Sequence, residues 1–222
     1  MTNLATFVDR YTMRHVRIYP HPVERVWDAI TDPKHLSVWM GFPVTCELRV
    51  GGRCVWGAEP DAYFVTEIER LEPKTLIEHA GRNDNPTGFM RFELKPHADG
   101  CRFEFTQRFA PGQTWEEVPD DLGGDLPGGP DTPWRPGFVG GWHAFFDMLG
   151  NYLDGKVLED GLEPADPLFG PIVDNWIRQK VAIGEFSEDV GARYGRELRA
   201  AAQWNDLNGT YRRHIRETIP AE

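Results

Sequence analysis

Clustered cations, metal-spaced cysteines and long apolar runs are all missing from this chain of 222 residues. Its 24 Lys and Arg stand against 35 Asp and Glu, a formal charge of -11, and nowhere do the positive side chains concentrate. Nucleic acid is therefore not an expected partner, because its phosphates are bound mainly by clustered cations. The same deficit argues against an anionic membrane surface. The three cysteines, Cys46, Cys54 and Cys101, form no CxxC pair and have no His at ligand spacing. They predict neither a zinc site nor a disulfide framework. An odd number of thiols in apolar, strand-like settings fits a reducing compartment, so the expected location is cytoplasmic. The N-terminus shows no apolar core of signal-peptide length, and no apolar run reaches the roughly 18 residues of a membrane span. Nor is there a Ser-His-Asp arrangement, a phosphate-cradling glycine loop or an HExxH string, so neither cofactor nor metal is expected.

What the chain does have is aromatic and aliphatic material, 12% and 40% apolar in all, enough for one sizeable core. The stretch from Gly140 to Gly155 holds Trp142, Phe145, Phe146, Leu149, Tyr152 and Leu153 at three- and four-residue steps. On a 3.6-residue period these make one apolar stripe, which predicts an amphipathic helix. Gly155 can close it in the left-handed conformation, and Gly140-Gly141 should loosen the chain just before it. So aromatic a stripe needs a large partner surface, and the residues before it read as strands.

Alternation over Thr12–Tyr19 predicts a first strand with an inward face of uncertain identity, after a weakly patterned leader of residues 1 to 11. Pro20 and Pro22 end it, lacking a ladder N–H. Val23, Val26, Trp27 and Ile30 then mark a short helix broken by Thr31-Asp32-Pro33, and Leu36 and Trp39 mark a second. Strand signals follow over Val44–Val50, Arg53–Gly57, Tyr63–Arg70, Thr75–Ala80, Gly88–Lys95 and Cys101–Phe109, with positive-φ turn residues at Gly51-Gly52 and Asp99-Gly100. The last two alternate cleanly, as in an antiparallel sheet covered on one face. Residues 110–137 are rich in proline, glycine and acid and carry Trp115 and Trp134, which predicts a long functional or mobile loop. Beyond Gly155 an acidic, proline-containing connection leads into helical patterning around Ile172–Val181 and Leu198–Ile215.

Strand, two short helices, about six to seven antiparallel strands and one long helix make an α+β order that resembles the helix-grip fold of the START-like (SRPBCC, birch-pollen-allergen-like) superfamily. Several strings are similar to the homologues of the activator of the ninety-kilodalton heat-shock chaperone ATPase. They are Pro22 to Pro33 (Pro-Val-Glu-Arg-Val-Trp-Asp-Ala-Ile-Thr-Asp-Pro), Leu48-Arg49-Val50-Gly51-Gly52-Arg53, Val65-Thr66-Glu67-Ile68, Leu76-Ile77-Glu78-His79, Met90-Arg91-Phe92-Glu93-Leu94, and Gly141-Trp142-His143 through Leu153. The resemblance implies a START-like domain over 12–155; residues 110–137 are a longer insertion than the group has, and the helical patterning within 156–222, not the resemblance, predicts a C-terminal helical extension packed on the domain. It also implies a curved sheet wrapped on the long helix, often with an apolar cavity between them that takes hydrophobic small molecules. Some members of the superfamily are cyclases or hydrolases, many bind without chemistry, and the chaperone activators act through protein surfaces. Fold alone does not decide among these.

The expected function is binding of a hydrophobic or aromatic small molecule in that cavity without a cofactor. Two alternatives are a cavity enzyme of cyclase-like or hydrolytic type, and a chaperone-associated protein-interaction module. Cavity candidates are the aromatics Trp39, Trp56, Phe64, Phe92, Phe105, Trp142 and Phe146, with the polar residues Glu67, Glu78, His79 and Gln107. Glu67 and Glu78 lie on adjacent predicted strands, where two facing carboxylates would share a proton; exposure with pairing to Arg91 or Arg102 is the plainer reading. His79 shares a face with Ile77 and points inward, and Gln107 is the polar member of an apolar face, where a buried amide needs partners. His143 and Asp147 are four apart and have the chemistry of an oriented base. Their angular position puts them off the apolar stripe, so a contact with the C-terminal extension or a solvated pair is expected instead.

Overall fold

Period-two alternation and turn residues organise the chain into strands, and 3.6-residue periodicity into helices. The computed structural model describes residues 3–59, 62, 64–81, 88–109 and 136–155, and in the C-terminal segment 207, 209–211, 213–215 and 217–218. In chain order the elements are β1 (Thr6–Asp9), β2 (Thr12–Tyr19), α1 (Val23–Thr31), α2 (Pro33–Met40), β3 (Val44–Cys46), β4 (Arg53–Trp56), β5 (Phe64–Glu72), β6 (Leu76–Gly81), β7 (Phe89–His97), β8 (Gly100–Arg108) and α3 (Pro136–Leu153). The strands form one antiparallel sheet in the order β1-β2-β8-β7-β6-β5-β4-β3. This curved sheet with one long helix is the helix-grip arrangement. The expected loop up to residue 135, with Trp115 and Trp134, and the patterning around Ile172–Val181 and Leu198–Trp204 lie outside the described residues.

Register fixes which side chains face the helix. Met13, His15, Arg17 and Tyr19 of β2 stand opposite Gln107, Phe105, Phe103 and Cys101 of β8, and Met90, Phe92 and Leu94 of β7 stand opposite Gln107, Phe105 and Phe103. All ten are buried. The row continues through His79 and Ile77 of β6, paired with Met90 and Phe92, to Ile68 and Thr66 of β5 and Cys54 and Trp56 of β4. The opposite face carries Arg14, Glu78, Arg91, Glu93, Arg102 and Glu104 in a lattice of ion pairs. The uncertain face of the first strand is thereby settled: its polar members His15 and Arg17 point into the core.

The two short helices join at a single residue. Asp32 caps α2, its side chain accepting from the Lys34 N–H at 2.8 Å, with Pro33 in the first turn where its missing N–H costs nothing. Gly41 closes α2 at φ 76, in the left-handed region. Trp39 Nε1–H donates to the Ala29 carbonyl at 2.8 Å and ties the helices together.

Four expectations need correction. The leader contains strand β1, whose positions are mostly exposed; an edge strand with no buried face leaves no periodicity to read. The strand expected over Val44–Val50 stops at Cys46, because residues 47–52 turn tightly, with Gly52 N–H donating to Arg49 O at 2.8 Å. A Cβ on Gly52 would lie 1.9 Å from Glu47 O, so only glycine fits this turn. Helix α3 starts at Pro136 rather than at the glycine pair, since Phe138 and Val139 extend the packed stripe by a turn and Gly140 and Gly141 are buried within it. Finally, Cys46 and Cys54 are not free thiols. They are directly opposed across the β3–β4 hairpin and form a disulfide, which leaves Cys101 as the free, buried cysteine. A search for CxxC spacing is blind to a pairing set by hairpin register.

Phe146, fully buried at the centre of the helix–sheet contact, gives the sharpest test of this packing. Phe146→Ala is expected to cost about 3–5 kcal/mol of stability, measured by denaturant unfolding.

Candidate functional site

Rings fill the middle of the sheet–helix contact. Trp142 and Phe146 of α3 stack with centroids 5.6 Å apart and planes 20° off parallel. Trp142 lies 4.4 Å from Phe105 and 6.4 Å from Phe92, and Phe146 lies 4.9 Å from Phe103 and 5.1 Å from Phe105. Such offset and tilted pairs add to simple area burial. The candidates Phe92, Phe105, Trp142 and Phe146 thus come together in space as mutually packed core. Trp39 sits apart, its indole committed to α1. Two shallow grooves among the described residues lie outside the sheet–helix space: one between Tyr19, Pro20 and residues 147–154 at the end of α3, the other on the outer sheet face around Phe89, Arg91 and Arg108.

A different chemistry occurs at the β4–β6 end. There Trp56 and Phe64 stack at 5.2 Å, and Trp56 meets the edge of His79 at 5.8 Å. Thr66, at 0% exposure, links them: Trp56 Nε1–H donates to its Oγ1 at 3.1 Å, and the same oxygen lies 3.2 Å from His79 Nδ1. Thr66 Oγ1 thus bridges the Trp56 indole N–H and the His79 ring, since a hydroxyl can accept from one partner and still share a hydrogen bond with the other. No partner for Nε2 is found among the described residues. Burial lowers the His79 pKa to about 4, so the ring is neutral near pH 7. Phe64 stays only partly buried beside this trio. Thr66 was not among the sequence candidates; its place between two inward positions of a strand was the available signal.

The two glutamates are not part of this site. Glu78 projects from the outer face, where Arg91 Nη2 lies 2.5 Å from its Oε1 and Arg70 3.8 Å. Glu67 lies between the inward residues Thr66 and Ile68, opposite Arg53, and so also faces out. A charge-paired carboxylate outside requires no desolvation of the kind the core would impose. Gln107 does face inward at 0% exposure, flanked by Met13 and Met90.

His143 and Asp147 anchor the C-terminal segment. The described residues between Leu207 and Thr218 are helical, and Leu207, Tyr211 and Ile215, each four apart, are buried against the domain. The Ala5 N–H donates to the Tyr211 hydroxyl oxygen at 3.0 Å, and that hydroxyl lies 2.8 Å from His143 Nδ1. The hydroxyl and His143 Nδ1 thus share a hydrogen bond, and His143 Nε2 lies 3.4 Å from Asp147 Oδ2. Arg17, nearly buried, reaches Asp147 at 3.5 Å and the Asn3 carbonyl at 2.7 Å. Burial pushes the Asp147 pKa up, but His143 and Arg17 outweigh it and hold the carboxyl below its usual value. Beside them His15 is wholly buried and 6.1 Å from His143. Its pKa is lowered well below the ordinary value, first by burial and then by Arg17 and His143.

Two predictions follow from these polar groups. Tyr211→Phe leaves the Ala5 N–H and His143 Nδ1 without a partner, and should lower stability by about 1–3 kcal/mol while speeding proteolysis of the C-terminal segment. Both His15 and His79 have folded pKa values below the unfolded one, so the stability they contribute is present above the ordinary 6.5 and is lost as pH falls. For His79 the loss between 6.5 and about 4 amounts to about 3 kcal/mol. Chemical denaturation across this range should show it, and His79→Phe should flatten that part of the profile.

Several solved structures are similar to this chain. A protein of Nitrosomonas europaea shares 17% identity with a TM-score of 0.50, covering 68% of this chain and 98% of its own. A protein of Mesorhizobium loti shares 21% identity over 66% of this chain and 99% of its own, with a TM-score of 0.49. The Aha1 dimer of Colwellia psychrerythraea shares 16% over 64% and 95%, with a TM-score of 0.49. At such identities the likeness is one of fold. No curated protein matches the chain. Residues 20–154, from the end of β2 to the turn after α3, match the family model described as Activator of Hsp90 ATPase homolog 1-like protein. The chain belongs to that family.

Proposed function

We propose that this protein binds an apolar or aromatic small molecule at the β4–β6 end of its helix grip, without a cofactor. The observation that carries this reading is the polar trio Trp56–Thr66–His79 set in an aromatic wall beside the part-buried Phe64. Small-molecule sites are mostly apolar with a few convergent polar groups. The ligand would gain about 25 cal/mol for each Å² of apolar surface it buries against Phe64 and Trp56. The neutral His79 ring, a donor at one nitrogen and an acceptor at the other, supplies the polar contact, suited to a carbonyl or phenolic oxygen. The superfamily's habit of holding hydrophobic molecules between sheet and helix supports the same place. Gln107, Phe92, Phe105, Trp142 and Phe146 belong to the reading as the wall behind the site.

An acid–base enzyme is the weaker reading. An imidazole with a pKa of about 4 is a poor proton acceptor at neutral pH, and Glu67 and Glu78 face the other way. A protein-interaction module has one specific observation in its favour, the exposure of Leu48 (45%) and Val50 (59%) in the turn after β3. The division into a domain over 12–155 and an extension over 156–222 belongs to the proposal, and the end of the family match at residue 154 supports it. So does a cytoplasmic location, against which the Cys46–Cys54 bond is the feature that pulls.

The test is a panel of aromatic ketones and phenols screened by native mass spectrometry, with affinities from calorimetry. One-to-one complexes are expected, weakened roughly three- to tenfold by Thr66→Val or His79→Leu, the worth of one hydrogen bond. If no panel member binds, or binding is indifferent to both substitutions, the site is not a ligand site. If Leu48→Ser with Val50→Ser instead abolishes association with a chaperone partner, the interaction reading replaces it.

A further inference from the structure

We propose that Cys46 and Cys54 form a reversible dithiol–disulfide site at the edge of the sheet, whose state sets the geometry of the Trp56–Thr66–His79 trio. Its effect on ligand binding rests on the function proposed above; the coupling between bond and trio does not.

Position comes first. Hydrogen bonds from Glu47 N–H to Arg53 O (3.1 Å) and from Gly57 N–H to Pro43 O (2.8 Å) mark the 47/53 and 43/57 pairs as hydrogen-bonded. Antiparallel pairs alternate, so Cys46↔Cys54 falls at a non-hydrogen-bonded position, where facing side chains come closest. Their Cα atoms are 4.0 Å apart. The bridge is thus the link that holds edge strand β3 to β4 where the ladder itself has none. Cys54 is fully buried, while Cys46 keeps part of its surface on an edge strand. A reagent therefore enters at Cys46.

Coupling comes next. Cys54 lies between Cys46 on one side and Thr66 on the other, in one cross-strand row. Two residues along the same strand is Trp56, whose indole N–H is held by Thr66. Thr66 in turn meets His79. Drawing β4 toward β3 or releasing it therefore acts on two members of the trio through one short strand of four residues. Cys101, buried in β8 with a thiol pushed up to about 11, has no part in the exchange.

The chemistry is thiol–disulfide exchange with a cellular thiol of the glutathione or dithiol class. A reductant thiolate attacks Cys46 Sγ, the Sγ–Sγ bond breaks, and Cys54 leaves as a thiolate that takes a proton. A second thiolate then attacks the reductant's sulfur in the mixed disulfide, freeing Cys46, which is protonated in turn. Two electrons and two protons pass to the protein, and the reductant ends as its own disulfide. Bonds that reform and break under a cytoplasmic thiol buffer are regulatory rather than structural, which reconciles this pair with the location proposed above.

The experiment equilibrates the full-length chain in mixtures of oxidised and reduced glutathione. It counts alkylatable thiols after denaturation and follows the ¹⁵N-indole resonance of Trp56, assigned with Trp56→Phe. Expected are one reactive thiol in the oxidised form and three in the reduced form, with a reversible shift of the Trp56 resonance. Cys46→Ser should give the reduced-like resonance and no response to glutathione. Affinity for the aromatic panel should differ at least threefold between the two forms. Three thiols under every oxidising mixture, or a bond that opens while the Trp56 resonance stays fixed, overturns the proposal. If the resonance shifts but neither form binds a panel member, the ligand reading fails and the redox site stands.

Discussion

Everything else in this structure is arranged around the face-to-sheet contact of Trp142 and Phe146 with Phe103, Phe105 and Phe92. Five rings on one helix and two central strands bury a large apolar area in a small volume, and their planes interlock. Strands β7 and β8 pair without a register shift and alternate clearly because they must present these rings in register. The flanks have more freedom. On one side β2 brings His15 and Arg17 to the helix, and on the other β4 to β6 bring Trp56, Thr66 and His79, while Gln107 enters the core from β8 beyond Phe105.

This division explains what was legible in the sequence. The order of strands, the two short helices and the long helix could be read because alternation in β7 and β8 and the stripe on α3 are direct imprints of burial. The inward rings were readable for the same reason. Side-chain direction on strands with mixed polarity was not: Glu67 and Glu78 differ from Thr66 and His79 by one position, and a single step reverses the face. The extra turn of α3 was hidden behind two glycines that signal a break and are instead packed within the helix. Cross-strand partnership of Cys46 with Cys54 depends on the turn geometry at Gly51-Gly52, and Tyr211 with His143 on a contact 68 residues apart; neither leaves a local pattern.

The family match and the structure part company in an informative place. Homology covers residues 20–154, from α1 to the end of α3, whereas β1, the whole of β2 and the C-terminal segment lie outside it. These outlying parts meet one another. Ala5 and Asn3 from the N-terminal end, Arg17 from β2, and Tyr211 and His214 from the C-terminal end converge on the outer flank of α3, with His214 Nε2 2.6 Å from the Ala5 carbonyl. A flank that carries His143 and Asp147 instead of apolar residues is suited to being closed by hydrogen bonds, and the two chain ends supply them.

Strand β2 pairs with β8 along its whole length, Tyr19 with Cys101 and Thr12 with Arg108. The β2–β8 partners are thus 82 residues apart at their nearest, from residue 19 to residue 101. During synthesis at about 5–20 residues per second, β2 has only β1 beside it for roughly 4–16 s before β8 exists. Loop closure over that distance must be met before the contact is gained, so the β2–β8 pairing forms late. The hairpins β1–β2, β5–β6 and β7–β8 need only local closure. For a chain emerging from the ribosome, Met13 and Tyr19, buried beside β8 in the finished sheet, pass that interval without this cover.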